Sequence, residues 1–252
     1  MPDGPLEDPI EEAARVSEAA RKAGVKAKLL GGAGIHLHSP SARKAPLKRK
    51  YGDLDYVIVS KDRKGALALF PALGYEANER FNLMQGDRRL CFFDIDNGRQ
   101  VDVFIDVFKM SHVIDLRGRL DHEHPSVSPA DLFVRKLQIF EVNRKDLIDL
   151  VALLIDHPVG EGDEAIDSRY VARLTAENWG IYRTLQLNID KLLATLDELD
   201  VDRDVVRARV KEVWTVVEAQ PKSFRWRARA QLGDRIAWYE LPEEVRSPYQ
   251  PG

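Results

Sequence analysis

The chain has 252 residues, 44% of them apolar, which is enough for a sizeable core in one large domain or two small ones. Its 38 basic and 41 acidic side chains leave a net charge of -3, which excludes bulk coating of nucleic acid but not a local basic patch. The single cysteine, Cys91, excludes an internal disulfide and points to a reducing, cytoplasmic setting; no signal peptide is expected from the acidic start, and no apolar run is long enough to cross a membrane.

Residues 9–23 read as a helix with a modest apolar face (Ile10, Ala13, Ala14, Ala19, Ala20) that stops at Gly24. A short strand over 25–30 runs into Gly31-Gly32, and a brief helix or loop over 33–38 follows. Residues 39–50, with Pro40, Pro46 and five basic side chains, read as a loop. A second strand spans 54–59. The spacing of Ala66, Leu69, Phe70 and Leu73 predicts a helix over 61–73, ended by Gly74. Residues 89–94 and 100–107 read as two strands of a hairpin. Asn97-Gly98 lies between them, read as a turn with positive φ at both residues. Asp94 and Asp96 border that turn and are assigned to turn chemistry.

Near Pro125 the character changes. Ser128-Pro129-Ala130-Asp131 is a helix start, with Ser as cap, Pro in the first turn and Asp three residues on. Helices are predicted over 130–141, 145–157, 168–177, 179–199 and 203–220, with a loop at Gly160-Glu161-Gly162-Asp163. A basic, aromatic segment from Lys222 to Arg229 and a tail with Pro242, Pro248 and Pro251 complete the chain. The expectation is an α+β fold. A mixed twisted sheet with flanking helices occupies 1–125, and an all-helical C-terminal domain occupies 126–252.

The chemistry concentrates on strands. In Gly52-Asp53-Leu54-Asp55, alternate residues of an extended chain face the same side, so Asp53 and Asp55 point together, roughly 6–7 Å apart at Cα. Like charges that close need a counter-charge. In 101–107, Asp102, Phe104 and Asp106 share the face opposite the valines and isoleucine. If this strand lies beside 54–59, Asp53, Asp55 and Asp102 converge, with Asp106 as a rival third carboxylate. Three carboxylates suit two Mg²⁺ ions, and such a pair about 3.5–4 Å apart activates an attacking hydroxyl and stabilises a leaving pyrophosphate. His36 and His38 are expected in a polar loop, and Asp121-His122-Glu123-His124 in a solvated linker. Lys136 and Asp146 read either as an inter-helix ion pair or as nucleotide-facing groups. Phe224, Arg225, Trp226, Arg227 and Arg229 interleave aromatic and basic residues as RNA-binding surfaces do, and also as a solvated amphipathic helix does.

Over about residues 26–155 this pattern resembles the DNA polymerase β-type nucleotidyltransferases, nearest the minimal, antibiotic-modifying and AbiEii-toxin-like groups. The residues that carry the resemblance are Gly31-Gly32 after a strand, Arg49 four positions before Asp53-x-Asp55, Asp102 on a later strand, and Lys136 followed by Arg144-Lys145-Asp146-x-x-Asp149-Leu150. It departs at Tyr51, where the family often has Thr. The resemblance implies that Gly31 and Gly32 approach a triphosphate and that Asp53 and Asp55 hold both Mg²⁺ ions. It further implies that Asp102 holds the catalytic ion and helps draw the acceptor's proton, and that Arg49, with Lys48 or Lys50, neutralises phosphate charge. The implied reaction moves a nucleoside monophosphate from an NTP to a small-molecule, tRNA or protein hydroxyl. A catalytically silent nucleotide- or partner-binding protein of toxin–antitoxin type, or an RNA-binding module, are the alternatives.

Overall fold

The computed structural model describes residues 4–241; the first three residues and the Pro242, Pro248 and Pro251 tail lie outside the described residues. Helix α1 (Pro9–Lys22) starts where expected because the Asp8 carboxylate accepts from the amides of Ile10 (2.8 Å) and Glu11 (3.0 Å). Strand β1 (Lys28–Leu29) is shorter than predicted, and α2 (Gly31–His38) begins directly at the glycine pair. Strand β2 (Leu54–Ile58) and helix α3 (Arg63–Ala72) follow. Strand β3 (Glu76–Ala77) and helix α4 (Glu79–Gln85) were not visible in the sequence pattern. Strands β4 (Arg89–Asp94) and β5 (Arg99–Ile105) form the predicted hairpin, and β6 (Val107–Lys109) with β7 (Val113–Asp115) forms a small second one.

The main sheet has five strands in the order β1-β2-β5-β4-β3 and is mixed: β2 and β5 are parallel, the other neighbours antiparallel. The α+β class with a mixed sheet is therefore as expected. The β4–β5 turn differs in detail. Asp94 pairs with Arg99, so four residues span the turn, and of Asn97 and Gly98 only Gly98 has positive φ (63°). Asn97 instead donates its side-chain amide to the Asp94 carboxylate (2.9 Å).

After residue 128 the described elements are helices: α5 (Pro129–Leu137), α6 (Arg144–Asp156), α7 (Ser168–Glu177), α8 (Trp179–Leu196), α9 (Arg203–Ala219) and α10 (Phe224–Leu232). The predicted start at Ser128 is realised: its hydroxyl accepts from the Asp131 amide (3.3 Å) and donates to the Asp131 carboxylate (2.6 Å). Among the described residues no helix is long and apolar enough to cross a membrane.

The two faces of the sheet have different partners. Leu54, Tyr56, Ile58, Val101, Val103 and Ile105 pack on Ala13, Val16, Ala66 and Phe70 of α1 and α3. On the other face Val57 and Phe104 join a core that runs through α2, α5 and α6 to Val213 and Val217 of α9. The segment before α5 is tied to the sheet edge, since Leu29 donates to Pro125 O (2.9 Å) and accepts from Val127 N–H (3.0 Å). This second face carries Asp55 and Asp102.

Candidate active site

Parallel pairing of β2 and β5 sets Asp55 directly opposite Asp102. Period-two alternation puts both on the face of Val57 and Phe104, and antiparallel β4 brings Cys91 beside Asp102 on that same face. Asp53 precedes β2 at the open end and accepts a hydrogen bond from the Gln100 amide. The three carboxylates named from the sequence thus share one end of the sheet face. Desolvation of its carboxyl, and then the charges of Asp55 and Asp102, hold the Asp53 pKa above the usual carboxylate range. Asp106 is elsewhere. It lies beyond the C-terminal end of β5 with φ 62°, and its carboxylate accepts from the Ser60 amide (2.9 Å).

Two arginines sit on these carboxylates. Arg89 makes a fork to Asp102, Nε to Oδ1 at 2.9 Å and Nη2 to Oδ2 at 2.6 Å, and Gln100 Nε2 adds a third bond to Oδ2 at 2.8 Å. Arg135, from α5, is paired with Asp55 Oδ2. Burial raises the Asp102 pKa, and Arg89 opposes that rise without cancelling it. Neither arginine was singled out in the sequence. Arg89 was in principle accessible: pairing Asp94 with Arg99 across the turn places Arg89 diagonal to Asp102. Arg135 carried no such signal, because it reaches Asp55 across 80 residues.

The glycine pair meets the same groups. Gly31 has φ 67°, and a Cβ there would lie 2.7 Å from Asp55 Oδ2 and 3.2 Å from Arg135 Nη1. A Cβ on Gly32 would collide with Arg49 Nη2 and with the Tyr51 ring (2.8 Å). Helix α2 has no side-chain cap and its first internal bond is Gly34 N–H to Leu30 O (3.2 Å), so the amides before it face out of the helix end. Tyr51, at the position of departure from the family pattern, stacks under the Arg49 guanidinium (4.3 Å) and edge-on to His36 (5.3 Å). Its hydroxyl is buried without a partner among the described residues, and burial pushes its pKa up to about 12.

A second charged layer lies between α5 and α6. Arg49 forks to Asp149 (2.8 and 2.6 Å), Asp149 also takes Lys136 Nζ (2.8 Å), and Lys136 is paired with Asp146. Lys136 and Asp146 therefore form the inter-helix ion pair, and Asp149 is the additional member that joins Arg49 to it. Burial raises the Asp149 pKa, but Lys136 and Arg49 together carry it below the usual range. Lys48, Lys50 and Lys145 are exposed.

Among the described residues, no group of three Asp, Glu, His or Cys side chains is arranged to hold a metal ion. The physical reason at Asp55 and Asp102 is that guanidinium groups engage the oxygens a cation would need. As arranged, the residues do not fit a pair of Mg²⁺ ions.

The remaining sequence candidates resolve as follows. His38 is not in a polar loop; it is buried at the end of α2, stacked on His124 (3.7 Å) and edge-on to His157 (5.4 Å). The 121–124 segment is not a free linker: Lys28 Nζ donates to the carbonyls of His122 (2.5 Å) and His124 (2.7 Å). In α10 the basic and aromatic residues divide. Trp226 packs edge-on against Tyr182 (5.3 Å) and Arg229 stacks on Trp179 (4.4 Å), while Phe224, Arg225 and Arg227 face outward.

No family model matches the chain, and no curated protein matches it. Among solved structures, an antigenic nucleotidyltransferase-like protein from Paracoccidioides brasiliensis is similar at 14% identity and a TM-score of 0.42, over 87% of this chain and 96% of that one. A STING-associated CdnE c-di-GMP synthase from Capnocytophaga granulosa is similar at 11% identity and a TM-score of 0.25, over 83% of each chain. Likenesses at these TM-scores do not bear on the activity of this chain, which rests on its own residues.

Proposed function

We propose that this chain is a nucleotidyltransferase-type protein, which receives a nucleoside triphosphate at the open end of α2 and passes the nucleoside monophosphate to a hydroxyl acceptor, releasing pyrophosphate. The observation that supports the reading is the register of Asp55 beside Asp102, with Asp53 at the open end and the uncapped start of α2 at Gly31 close to Asp55. A helix end of this kind favours an anion. Arg135 at that helix end, Arg49 and Lys136 in the adjoining layer, and exposed Lys145 beside Asp53 add positive charge.

In the transfer, the acceptor oxygen attacks the α-phosphorus, the bond to pyrophosphate breaks, and the acceptor's proton must be removed. Asp53 is the carboxylate suited to take it. Among the described residues no guanidinium pairs with it, and a raised pKa brings it closer to the working pH of a general base. Asp102 is less suited, since Arg89 and Gln100 use both of its oxygens. Incubating the protein with cell extract and an NTP labelled at its α-phosphate should give a labelled product that Asp53→Ala plus Asp55→Ala abolishes. Absence of labelled product with the wild type, or equal labelling with the double variant, overturns the transfer reading.

A second reading, a catalytically silent nucleotide binder, is favoured by the guanidinium groups on Asp55 and Asp102 and by the Tyr51 ring over Gly32. Calorimetry with ATP separates the two, because this reading predicts binding heat with no turnover.

A further inference from the structure

Asp53, Asp55 and Asp102 crowd one end of a sheet, and charges held that close must be balanced. The protein supplies the balance from its own chain. Arg89 occupies both oxygens of Asp102 at 2.9 and 2.6 Å, and Arg135 is paired with Asp55 Oδ2. Both guanidinium groups are themselves held. Arg89 lies 5.1 Å from the Phe104 ring and 5.7 Å from that of Phe81, and Arg135 lies 4.4 Å from that of Phe108. Their side chains are only 17% and 8% exposed. Arg135 keeps its Nε buried with no hydrogen-bond partner among the described residues. It stands beside the α2 end at Gly31, close enough that a Cβ there would lie 3.2 Å from its Nη1.

Resting on the nucleotide-binding reading above, we propose that Arg89 and Arg135 are built-in cations of this site, so that it takes the phosphates of a nucleoside triphosphate without a divalent metal ion. Arg89 is a positioning residue: it holds Asp102 neutralised and unavailable to a metal ion. Arg135, whose Nη1 and Nη2 lie at the α2 end by Gly31, is placed to meet phosphate there, and its planar fork suits two phosphate oxygens. Three carboxylates against two guanidinium groups leave a single net negative charge. Removing both arginines leaves three, and that is a site to which a hard divalent cation is drawn.

The test uses the full chain in two measurements. First, Mn²⁺ alone is titrated and the free ion followed by electron paramagnetic resonance, with no nucleotide present. The wild type should bind more weakly than about 1 mM, the weak end of protein oxygen-ligand sites. Arg89→Ala plus Arg135→Ala should bind at least about tenfold tighter. Circular dichroism checks that the variant is folded; if it is not, Arg89→Lys plus Arg135→Lys replaces it. That pair keeps the charge but gives up the fork, and should bind Mn²⁺ tighter than the wild type by a smaller factor. Second, binding of a non-hydrolysable ATP analogue to the wild type is compared in EDTA and in Mg²⁺, with Kd values expected within about twofold. Wild-type Mn²⁺ binding as tight as that of the variants, or an analogue Kd about tenfold weaker in EDTA, overturns the proposal and leaves the nucleotide reading standing. If the analogue binds under neither condition, the nucleotide reading falls, and phosphate recognition by Arg135 falls with it.

Discussion

Asp149 is the residue on which two layers of the site depend. It is 1% exposed at its side chain and accepts from both Arg49 and Lys136, of which Lys136 is itself buried. The sequence placed Asp149 in the same motif as Lys136 and Asp146 but gave it no role; the structure makes it the group that links them to Arg49. Taking away one partner of a buried ionic group leaves the others uncompensated, which costs about 3–5 kcal/mol. Asp149→Asn should therefore lower unfolding stability by about 3 kcal/mol, the low end because Lys136 retains Asp146. Urea denaturation reads this directly; a loss below about 1 kcal/mol would mean that the network contributes no more than an exposed pair. The same variant should weaken nucleotide binding, since Arg49 loses the fork that holds it over Tyr51.

Among the elements, α2 has the most demanding geometry. Its first residue, Gly31, combines a left-handed φ of 67° with a Cβ position 2.7 Å from Asp55 Oδ2. Gly24 offers an internal control, with φ 69° and no described residue within 4 Å of its Cβ position. Gly24→Ala should cost about 1–2 kcal/mol, the backbone term alone. Gly31→Ala should cost more than that, because the new methyl must displace the Asp55–Arg135 pair. Equal losses for the two variants would mean that the approach of Asp55 to the helix end is not tight in solution. Elements with a local signal were legible from the sequence. Ser128 marked a helix start through its cap, the Asn97-Gly98 turn between two apolar runs marked β4 and β5, and Asp53-x-Asp55 marked the polar strand edge. Elements without such a signal were not. Helix α4 presents Leu83 and Met84 to solvent, 88% and 67% exposed, so it has no apolar stripe to detect, and its anchor is Asn82 bonded both ways to the Cys91 backbone (2.7 and 3.1 Å). Arg135 belongs to the same class: its partner is fixed by the packing of α5 on the sheet and not by any spacing along the chain.

Over the whole molecule, acid sensitivity follows from where the histidines lie. Of the six, His36, His38, His112, His122 and His124 are all driven toward the neutral form, chiefly by burial. The effect is largest for His38, lowered to about 3 under its stack with His124 and His157, and for His112, lowered to about 4. The sign is set by which state binds the proton. Below the ordinary histidine value of about 6.5 the unfolded chain takes up protons that the folded chain refuses, so stability falls as pH falls. It is fully present above that value and is lost progressively toward the lowered values. Counting only His38 and His112, each contributes about 1.4 kcal/mol per pH unit, so the protein should be about 4 kcal/mol less stable at pH 5 than at pH 7. Chemical denaturation at the two pH values measures the difference. His112→Gln should remove about half of it, because a glutamine side chain can still reach the Thr184 hydroxyl that His112 meets at 2.8 Å but takes up no proton. A flat profile between pH 7 and 5 would mean that these rings are protonated in the folded protein, which requires Glu164, 3.6 Å from His38 Nδ1, to act as counter-ion to a charged His38. The Glu164→Gln variant decides that case, since it would then restore the fall in stability on the acid side.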